Sequence, residues 1–355
     1  MTLLNVLTVL AVAQILFLLL LSLLLLTNRS RTAGRRRAQR IATAATAGPL
    51  RDWAALGGSI EPLRAALAAL PAAAAAEQLL LNATRIPPSM LAELSAAVRE
   101  ERWAEAVLSR ARSRLWWRRL EAARLMAIVG APRDRERLTA LLQDPHPAVQ
   151  AVAAASLPRI ADATSVAMVL DALPDHSVFV QLAEHNVLAE VWRLTEPALL
   201  ERLVPEAPPH RLAAWIAVAE AVGTPDLLER ALSLHAHAGA IVRLAVARAA
   251  RKFYHPTVLS ALRALLDDAD WRVRAKAAQS LGVVGTVAAV GDLERALKDG
   301  NWWVRFRAGL SLAQIGEPGR DVLRRARTQD DRFAAEMATM ITGLSGGGIV
   351  ELSEG

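Results

Sequence analysis

The residue types that most often perform chemistry are few and irregularly placed in this sequence. The 355 residues include seven histidines and no cysteine, which excludes a disulfide framework, a thiolate zinc site and a cysteine nucleophile. His235 and His237 are two residues apart and would lie on different faces of a helix. Residues 343–347 match the G-x-S-x-G pattern, but that pattern needs a strand before it and a helix after it, and here a helix is expected before it. The sequence therefore predicts no catalytic residue, no metal and no cofactor.

Binding chemistry is better represented, because tryptophan and arginine are interleaved at two places in the C-terminal part. Trp271 precedes Arg274, and Trp302 and Trp303 precede Arg305. Tryptophan and arginine are enriched where protein partners bind, and aromatic rings beside cations also stack on nucleic-acid bases. A structural role is also open, in which the tryptophan covers the edge between neighbouring units and the arginine pairs with a loop aspartate.

These residues belong to a repeat of 31 residues. Segments 270–285 and 301–316 share valine, arginine, alanine, leucine and glycine at matching positions, and the same register continues back through residues 242, 211, 180, 149 and 118. A degenerate eighth copy follows at 330–344. The spacing predicts an amphipathic helix that ends at its glycine; we call it the motif helix. A second helix, the spacer helix, is predicted before it, for example at 133–142, 225–234, 256–266 and 287–297.

Aspartates are expected at the corner between the spacer helix and the motif helix. Asp144, Asp175, Asp268, Asp299 and Asp330 hold this place. A side-chain oxygen there accepts from free backbone N–H groups, so the sequence predicts that these residues cap the following helix. One helical hairpin cannot bury its apolar stripe alone, and stacked units share a core.

The pattern D-x-x-W-x-V-R-x-x-A-A-x-x-L-G-x-x-G at 268–285, which is repeated with substitutions at 299–316, resembles the HEAT-repeat family. The similarity is greatest to its short form, the phycobilisome-lyase HEAT-like repeats, and it covers about residues 105–344. The resemblance implies an all-α fold, an α-solenoid of about seven helical hairpins, and a role in binding rather than catalysis. Metal-dependent hydroxylases built on HEAT repeats rely on His-Glu dipeptides, and no histidine of this sequence is followed by glutamate.

The motif helices of such a solenoid are expected to line its concave face. Their outward positions make the C-terminal half of the groove basic, so a partner with an acidic segment would fit there. Together with the interleaved tryptophans and arginines, they form the set of candidate partner-binding residues: Arg248, Lys252, Trp271, Arg274, Lys276, Trp302, Trp303, Arg305 and Arg307.

The N-terminus carries a long apolar stretch. Residues 3–26 contain no charged side chain and would span about 36 Å as a helix, enough for a hydrocarbon core of about 30 Å. A cleaved signal peptide would have a basic residue before a shorter apolar run, and no basic residue precedes this one. We therefore expect one uncleaved transmembrane helix, in which the polar Gln14 contacts a neighbouring helix.

A cluster of arginines follows this stretch without any acidic residue. Basic residues beside a membrane span remain on the cytoplasmic side and bind anionic lipid head groups, so the N-terminus is expected outside and the rest of the chain in the cytoplasm. The cluster carries six of the seven formal net positive charges, and the nearly neutral remainder argues against nucleic-acid binding. Its members are Arg29, Arg31, Arg35, Arg36, Arg37 and Arg40.

The predicted organisation has five parts. A transmembrane anchor at 1–27 and an Arg-rich juxtamembrane linker at 28–50 come first. An Ala-rich helical cap at 51–104, a solenoid at 105–344 and a flexible tail at 345–355 follow.

The expected function is that of a non-catalytic scaffold or adaptor, anchored by a single span in a bacterial inner membrane. It would bind a protein partner, itself a membrane protein, as an accessory subunit of a membrane or cell-envelope complex. A bilin lyase or chaperone-like enzyme, suggested by the name of the repeat, is the alternative. A HEAT-like DNA alkyl-base glycosylase is the second. The identity of the partner and the oligomeric state stay open.

Overall fold

The computed structural model describes residues 37–83, 86–252, 256–344 and 346–354. The predicted anchor at 1–27, its polar residue Gln14 and the arginines from Arg29 to Arg36 lie outside these ranges. No helix within these ranges is both long enough and apolar enough to cross a bilayer. The described chain is helical and has no strand, and it divides into two compact units, of which the first ends at Leu141 and the second begins at Leu142.

A helix over residues 37–56 opens the described part of the first unit, in place of the linker predicted for residues 28–50. Its alanines are strong helix formers, and one face is buried at Ala42, Thr46 and Trp53. Gln78 on a later helix donates to Thr43 Oγ1 at 3.2 Å and accepts from Thr46 Oγ1 at 3.4 Å. Burial and hydrogen bonding thus order a segment whose small residues suggested flexibility.

The rest of the first unit is also helical, including the predicted cap at 51–104. Short 3₁₀ turns at Ser109–Arg112 and Pro132–Asp134 join some of the helices. The remaining α-helices are Glu61–Ala68, Ala72–Ala83, Pro88–Arg99, Arg102–Leu108, Trp116–Val129 and Arg135–Leu142.

The motif helices follow the predicted period. Each begins 31 residues after the previous one from Trp116 to Trp302, and the last begins at Arg332, one residue early. The helix that begins at Pro147 is interrupted after Ala154 and resumes at Leu157–Ile160. The motif helices of the second unit are Pro147–Ala154, Val178–Glu190, Pro209–Val222, Ala240–Ala249, Trp271–Val284, Trp302–Gln314 and Arg332–Thr342.

Spacer helices alternate with the motif helices in the second unit. Several end or begin in a 3₁₀ turn, at Leu173–Asp175, Leu234–Ala236 and Val287–Ala289, and a further turn at Ala250–Lys252 continues the motif helix Ala240–Ala249. The spacer helices are Ala163–Ala172, Trp192–Arg202, Pro225–Ser233, Pro256–Leu266, Val290–Ala296 and Glu317–Ala326.

Successive motif helices of the second unit pack directly on one another, as stacked repeats require. The closest approach joins Trp271–Val284 to Trp302–Gln314. A Cβ added at Gly282 would lie 2.8 Å from the Cα of Ser311, so only glycine allows this separation. The Ser311 hydroxyl donates to the Ala278 carbonyl at 2.8 Å, and Ser280 donates in the same way to Ala247 at 2.6 Å. Buried serines therefore tie each of these helices to the one before it.

The predicted glycine ends differ in backbone conformation, and Gly316, with φ 94° and ψ −149°, lies at the start of the next helix. Gly223 and Gly285 have φ values of 74° and 68°, the left-handed conformation that closes a helix best with glycine. Gly130 has φ −57° instead. The glycine signal therefore marks the helix end in each case, although the backbone turns differently at Gly130.

The corner aspartates bind the loop rather than the first turn of the motif helix. Asp268 Oδ1 and Asp299 Oδ1 each accept at 2.8 Å from the N–H two residues later. The helix itself is capped by the next polar residue, Asp270 or Asn301. At Asp268 and Asp299 the cap is thus displaced by two residues, because the corner contains an additional tight turn. The last motif helix is capped by Asp331, one residue after Asp330, and the helix after Asp175 has Ser177 at its N-cap position without a side-chain cap.

The motif helices Pro147–Ala154 and Val178–Glu190 are linked by a polar cluster. Glu184, which replaces the usual alanine, is buried and accepts from His176 Nδ1 at 2.9 Å. His176 Nε2 lies 2.7 Å from Gln150 Oε1 on the preceding motif helix. The Glu184 carboxylate raises the pKa of His176, although burial opposes this shift. The irregular residue is therefore part of a connection between repeats.

A short helix ends the described chain. Residues Gly346–Glu354 are helical and pack on the motif helix Trp302–Gln314, in place of the flexible tail predicted at 345–355. Arg307 Nη1 donates to the Leu352 carbonyl at 2.8 Å. This contact with the preceding repeat provides the order that the glycine-rich sequence does not.

Candidate functional site: a basic cluster on the motif helices

Four cationic side chains from three consecutive repeats lie near one another in the second unit. Lys276 is half-buried, and the positive charges of Arg307, Arg251 and Arg248 act on it. The nearby acid is Glu220, which accepts from Arg248 Nε at 2.9 Å and lies 3.5 Å from Arg251 Nη2. We call these five residues the basic cluster; it carries four positive charges and one negative charge.

The electrostatics of the basic cluster favour an incoming anion. Burial, and then repulsion from the three arginines, lowers the pKa of Lys276, while Glu220 opposes the shift. Burial also lowers the pKa of Arg307. A lowered pKa of a cation means that its positive form is held at a disadvantage, and a carboxylate beside it would relieve this disadvantage.

The immediate partners of these cations are neutral or shared. Lys276 Nζ donates to Gln279 Oε1 at 2.7 Å, and Arg307 donates to the carbonyl of Leu352. Glu220 divides its two oxygens between two arginines. The cluster therefore lacks the one-to-one pairing that neutralises a surface arginine.

A histidine lies beside the cluster with a free ring nitrogen. His185 Nε2 is buried without a hydrogen-bond partner among the described residues. Burial lowers the pKa of His185, and the charge of Arg248 lowers it further while Glu220 opposes this. The imidazole is thus a neutral polar group at the edge of the basic cluster.

The structure brings together three of the predicted residues and differs on a fourth. Arg248, Lys276 and Arg307 belong to the cluster, whereas Lys252 is exposed and the charge that acts on Lys276 from this turn is that of Arg251. The motif helix ends at Ala249 and continues as a 3₁₀ turn. A 3₁₀ turn has three residues per turn instead of 3.6. The residue that faces Lys276 after Arg248 is therefore Arg251 rather than Lys252.

Two predicted arginines have a structural task. Arg274 Nη1 donates to the Asp268 carbonyl at 2.8 Å, and its Nη2 donates to Asp299 Oδ1 of the next repeat at 3.0 Å. Arg243 repeats this arrangement one unit earlier, with Asp268. Arg305 is buried and donates to the Asp299 carbonyl at 2.7 Å. Arg243 and Arg274 thus connect neighbouring loops, as the structural interpretation of the motif supposes, whereas the hydrogen bond of Arg305 stays within its own repeat.

The predicted tryptophans lie at the first turns of their motif helices and are partly exposed. Trp271, Trp302 and Trp303 expose 39%, 43% and 50% of their surface. Trp302 stacks on Phe306 with ring centroids 5.0 Å apart. Phe333 holds the same place in the last copy and lies 4.9 Å from the Arg305 guanidinium. The tryptophans remain candidate contacts for a protein partner. They lie at the first turn of their motif helices and are not part of the basic cluster.

The described arginines of the N-terminal cluster can also be placed. Arg37 and Arg40 are exposed on the helix over residues 37–56. Their contact with lipid head groups stays a prediction, since Arg29, Arg31, Arg35 and Arg36 lie outside the described residues.

A cleft of about 730 Å³ in the first unit is also lined by charges, but these are paired with one another. Arg99 is buried and forms two hydrogen bonds to the carboxylate of Asp134, at 2.7 and 2.8 Å. Arg137 binds both Asp134 and Glu105. Arg99 and Arg137, which could otherwise bind an anion, are therefore already bound to carboxylates of the same unit. This network supports the fold.

The sequence of the second unit matches a known repeat family. Residues 196–282 and 262–340 match HEAT repeats. The two matches overlap and together cover residues 196–340. All five residues of the basic cluster lie within this range.

Comparison with other proteins shows only distant similarity. No curated protein matches the chain. A solved structure of the complex of CpcE and CpcF of phycocyanin lyase from Nostoc sp. PCC7120 is 20% identical, covers 67% of this chain and 92% of its own, and has a TM-score of 0.30. The crystal structure of an engineered protein is 18% identical, covers 86% of this chain and 93% of its own, and has a TM-score of 0.35. Similarity at this level does not extend to function.

Proposed function

We propose that the chain is a non-catalytic scaffold that binds an acidic segment of a protein partner at the basic cluster. HEAT repeats in general mediate protein contacts. The observation that carries the proposal for this chain is that Arg248, Arg251 and Arg307 all act on the half-buried Lys276, while Glu220 pairs with Arg248 and Arg251. Charge complementarity of this kind determines which partner binds and how fast it associates.

The geometry favours a segment with several carboxylates over a single small anion. The cations come from Ala240–Ala249 and the turn after it, from Trp271–Val284 and from Trp302–Gln314. They are thus distributed over three consecutive helices. A peptide that crosses these helices could place one carboxylate near each repeat, and each charged hydrogen bond would contribute about 1.5–3 kcal/mol.

The proposal includes the cellular setting expected from the sequence. The apolar residues 3–26 would hold the scaffold in a bacterial inner membrane, with the repeats in the cytoplasm. A scaffold tethered in this way meets partners that are themselves in the membrane, which is the basis for expecting an accessory subunit of a membrane or cell-envelope complex.

The first experiment measures binding of a labelled peptide that alternates glutamate and serine to the full chain in mild detergent, by fluorescence anisotropy at low salt. The matched probe alternates glutamine and serine. We expect binding of the acidic probe alone. Lys276→Gln should weaken it about tenfold, the equivalent of about one charged hydrogen bond. Equal binding of both probes would contradict the proposal.

The matched control is Arg230→Gln. Arg230 is exposed on the spacer helix Pro225–Ser233. Its substitution changes the net charge by the same amount as Lys276→Gln, but outside the basic cluster. We expect unchanged affinity. A loss equal to that of Lys276→Gln would mean that overall charge, and not the cluster, attracts the probe.

A further inference from the structure

The C-terminal helix Gly346–Glu354 lies against a residue of the basic cluster. Arg307 donates from Nη1 to the carbonyl oxygen of Leu352 at 2.8 Å. The helix packs on Trp302–Gln314, the motif helix that carries Arg307. The same guanidinium would be needed by an acidic segment that crosses the cluster.

The C-terminal helix also resembles an acidic ligand in its charge. Residues 346–355 include two glutamates, Glu351 and Glu354, and no basic residue. The last carbonyl groups of a helix have no partner within it, and together they give this end a partial negative charge. Arg307 is bound to one of these carbonyls, so the helix presents its negative end to the cluster.

The helix is weakly stable by itself, which allows it to leave. It is nine residues long and begins with three glycines. Helices of this length are marginal in water, and glycine is a weaker helix former than alanine. Its order therefore depends on its contact with the preceding repeat.

From these observations we infer that the helix Gly346–Glu354 is an internal, displaceable occupant of the basic cluster, which competes with the acidic segment of a partner. This inference rests on the proposed function. In the free protein the helix covers Arg307, and an acidic partner binds by displacing it. The affinity of the scaffold is thus reduced by a segment of its own chain.

The test compares the full chain with a variant that lacks residues 345–355, using the glutamate–serine peptide. Removal of the competitor should tighten binding about tenfold. Gly347→Ala should act in the opposite direction: a Cβ at Gly347 meets no atom within 4 Å, and 1 kcal/mol of added helix stability corresponds to about fivefold weaker binding. Unchanged or weaker binding by the shortened protein would overturn the inference.

A second measurement separates failure of this inference from failure of the proposed function. A synthetic peptide with the sequence of residues 346–354 is added to the shortened protein, whose fold is first checked by circular dichroism. We expect binding that the Arg307→Gln variant of the shortened protein has lost. If this peptide binds but the glutamate–serine peptide does not, the proposed function fails. If the glutamate–serine peptide binds and this one does not, the C-terminal helix is no competitor.

Discussion

Gly282→Ala should destabilise the second unit, although alanine is the better helix former. The added Cβ would lie 2.6 Å from Ser311 Cβ and 2.8 Å from Ser311 Cα. A backbone atom cannot rotate away, so the two motif helices must separate. Overpacking of this kind costs about 1–3 kcal/mol, and the strained Ser311 hydrogen bond to Ala278 adds about 1 kcal/mol. The gain in helix propensity is about 1 kcal/mol, which leaves a net loss of about 1–3 kcal/mol.

The assay is thermal unfolding of the purified chain, followed by circular dichroism at the helical band. A loss of this size should lower the melting temperature by about 3–9 °C. The matched control is Gly291→Ala, because Gly291 is exposed in the helix Val290–Ala296 and a Cβ there meets no atom within 4 Å. It should raise the melting temperature slightly. A Gly282→Ala protein as stable as this control would refute the close approach of the two helices.

Two further changes test the polar connections inside the units. Glu184 raises the pKa of His176 in the folded protein above its ordinary value of 6.5, so their contact stabilises the fold fully below pH 6.5 and loses this contribution as the pH rises through the folded pKa. In urea unfolding, the wild type should therefore exceed Glu184→Gln in stability by more at about pH 6 than at about pH 8.5. An equal difference at both pH values would contradict the linkage. Asp134→Ala removes both short hydrogen bonds of the buried Arg99 and leaves it the longer contact with Glu105 at 3.4 Å. It should destabilise the first unit by about 1–3 kcal/mol, measured by urea unfolding. An unchanged stability would show that the pair is hydrated and not buried.

The repeat was the part of the fold most accessible from the sequence. A spacing of 31 residues and an apolar stripe at helical period predict about seven copies in one register, and the motif helices from Trp116 to Trp302 begin at that spacing. Close packing requires the apolar stripe wherever two motif helices are in contact, so the stripe recurs with each repeat of the chain. The two-residue displacement of the caps was not visible, because the tight turn at Asp268 and Asp299 depends on backbone geometry.

Segments without a period were harder to predict. Residues 37–50 and 346–354 are rich in small residues, which occur in linkers and in helices alike. In both cases contact with another helix decides the outcome, through Gln78 for the first and Arg307 for the second. Such contacts bring together residues that are distant in sequence and leave no local signal.

The basic cluster was partly predictable. Projection of the motif onto a regular helix places Arg248, Lys276 and Arg307 on one face, and the structure agrees. The same projection selects Lys252, because it assumes 3.6 residues per turn beyond the point where the helix tightens. Predicting Arg251 would have required knowledge of that turn, and predicting Glu220 would have required knowledge of the packing of the neighbouring repeat.

Arg243 and Arg274 give two consecutive repeats the same junction chemistry. Arg243 binds Asp268, and Arg274 binds Asp299, so two consecutive units each offer a donor on the helix and an acceptor in the following loop. A block of 31 residues copied in register would therefore fit its own duplicate at both ends, and the array could grow or shrink by whole units without a new interface being invented. The series stops at Arg305, whose guanidinium lies over the ring of Phe333 instead. Gene duplication and protein engineering can both exploit this property, since the length of the array can change while the chemistry of each junction stays the same.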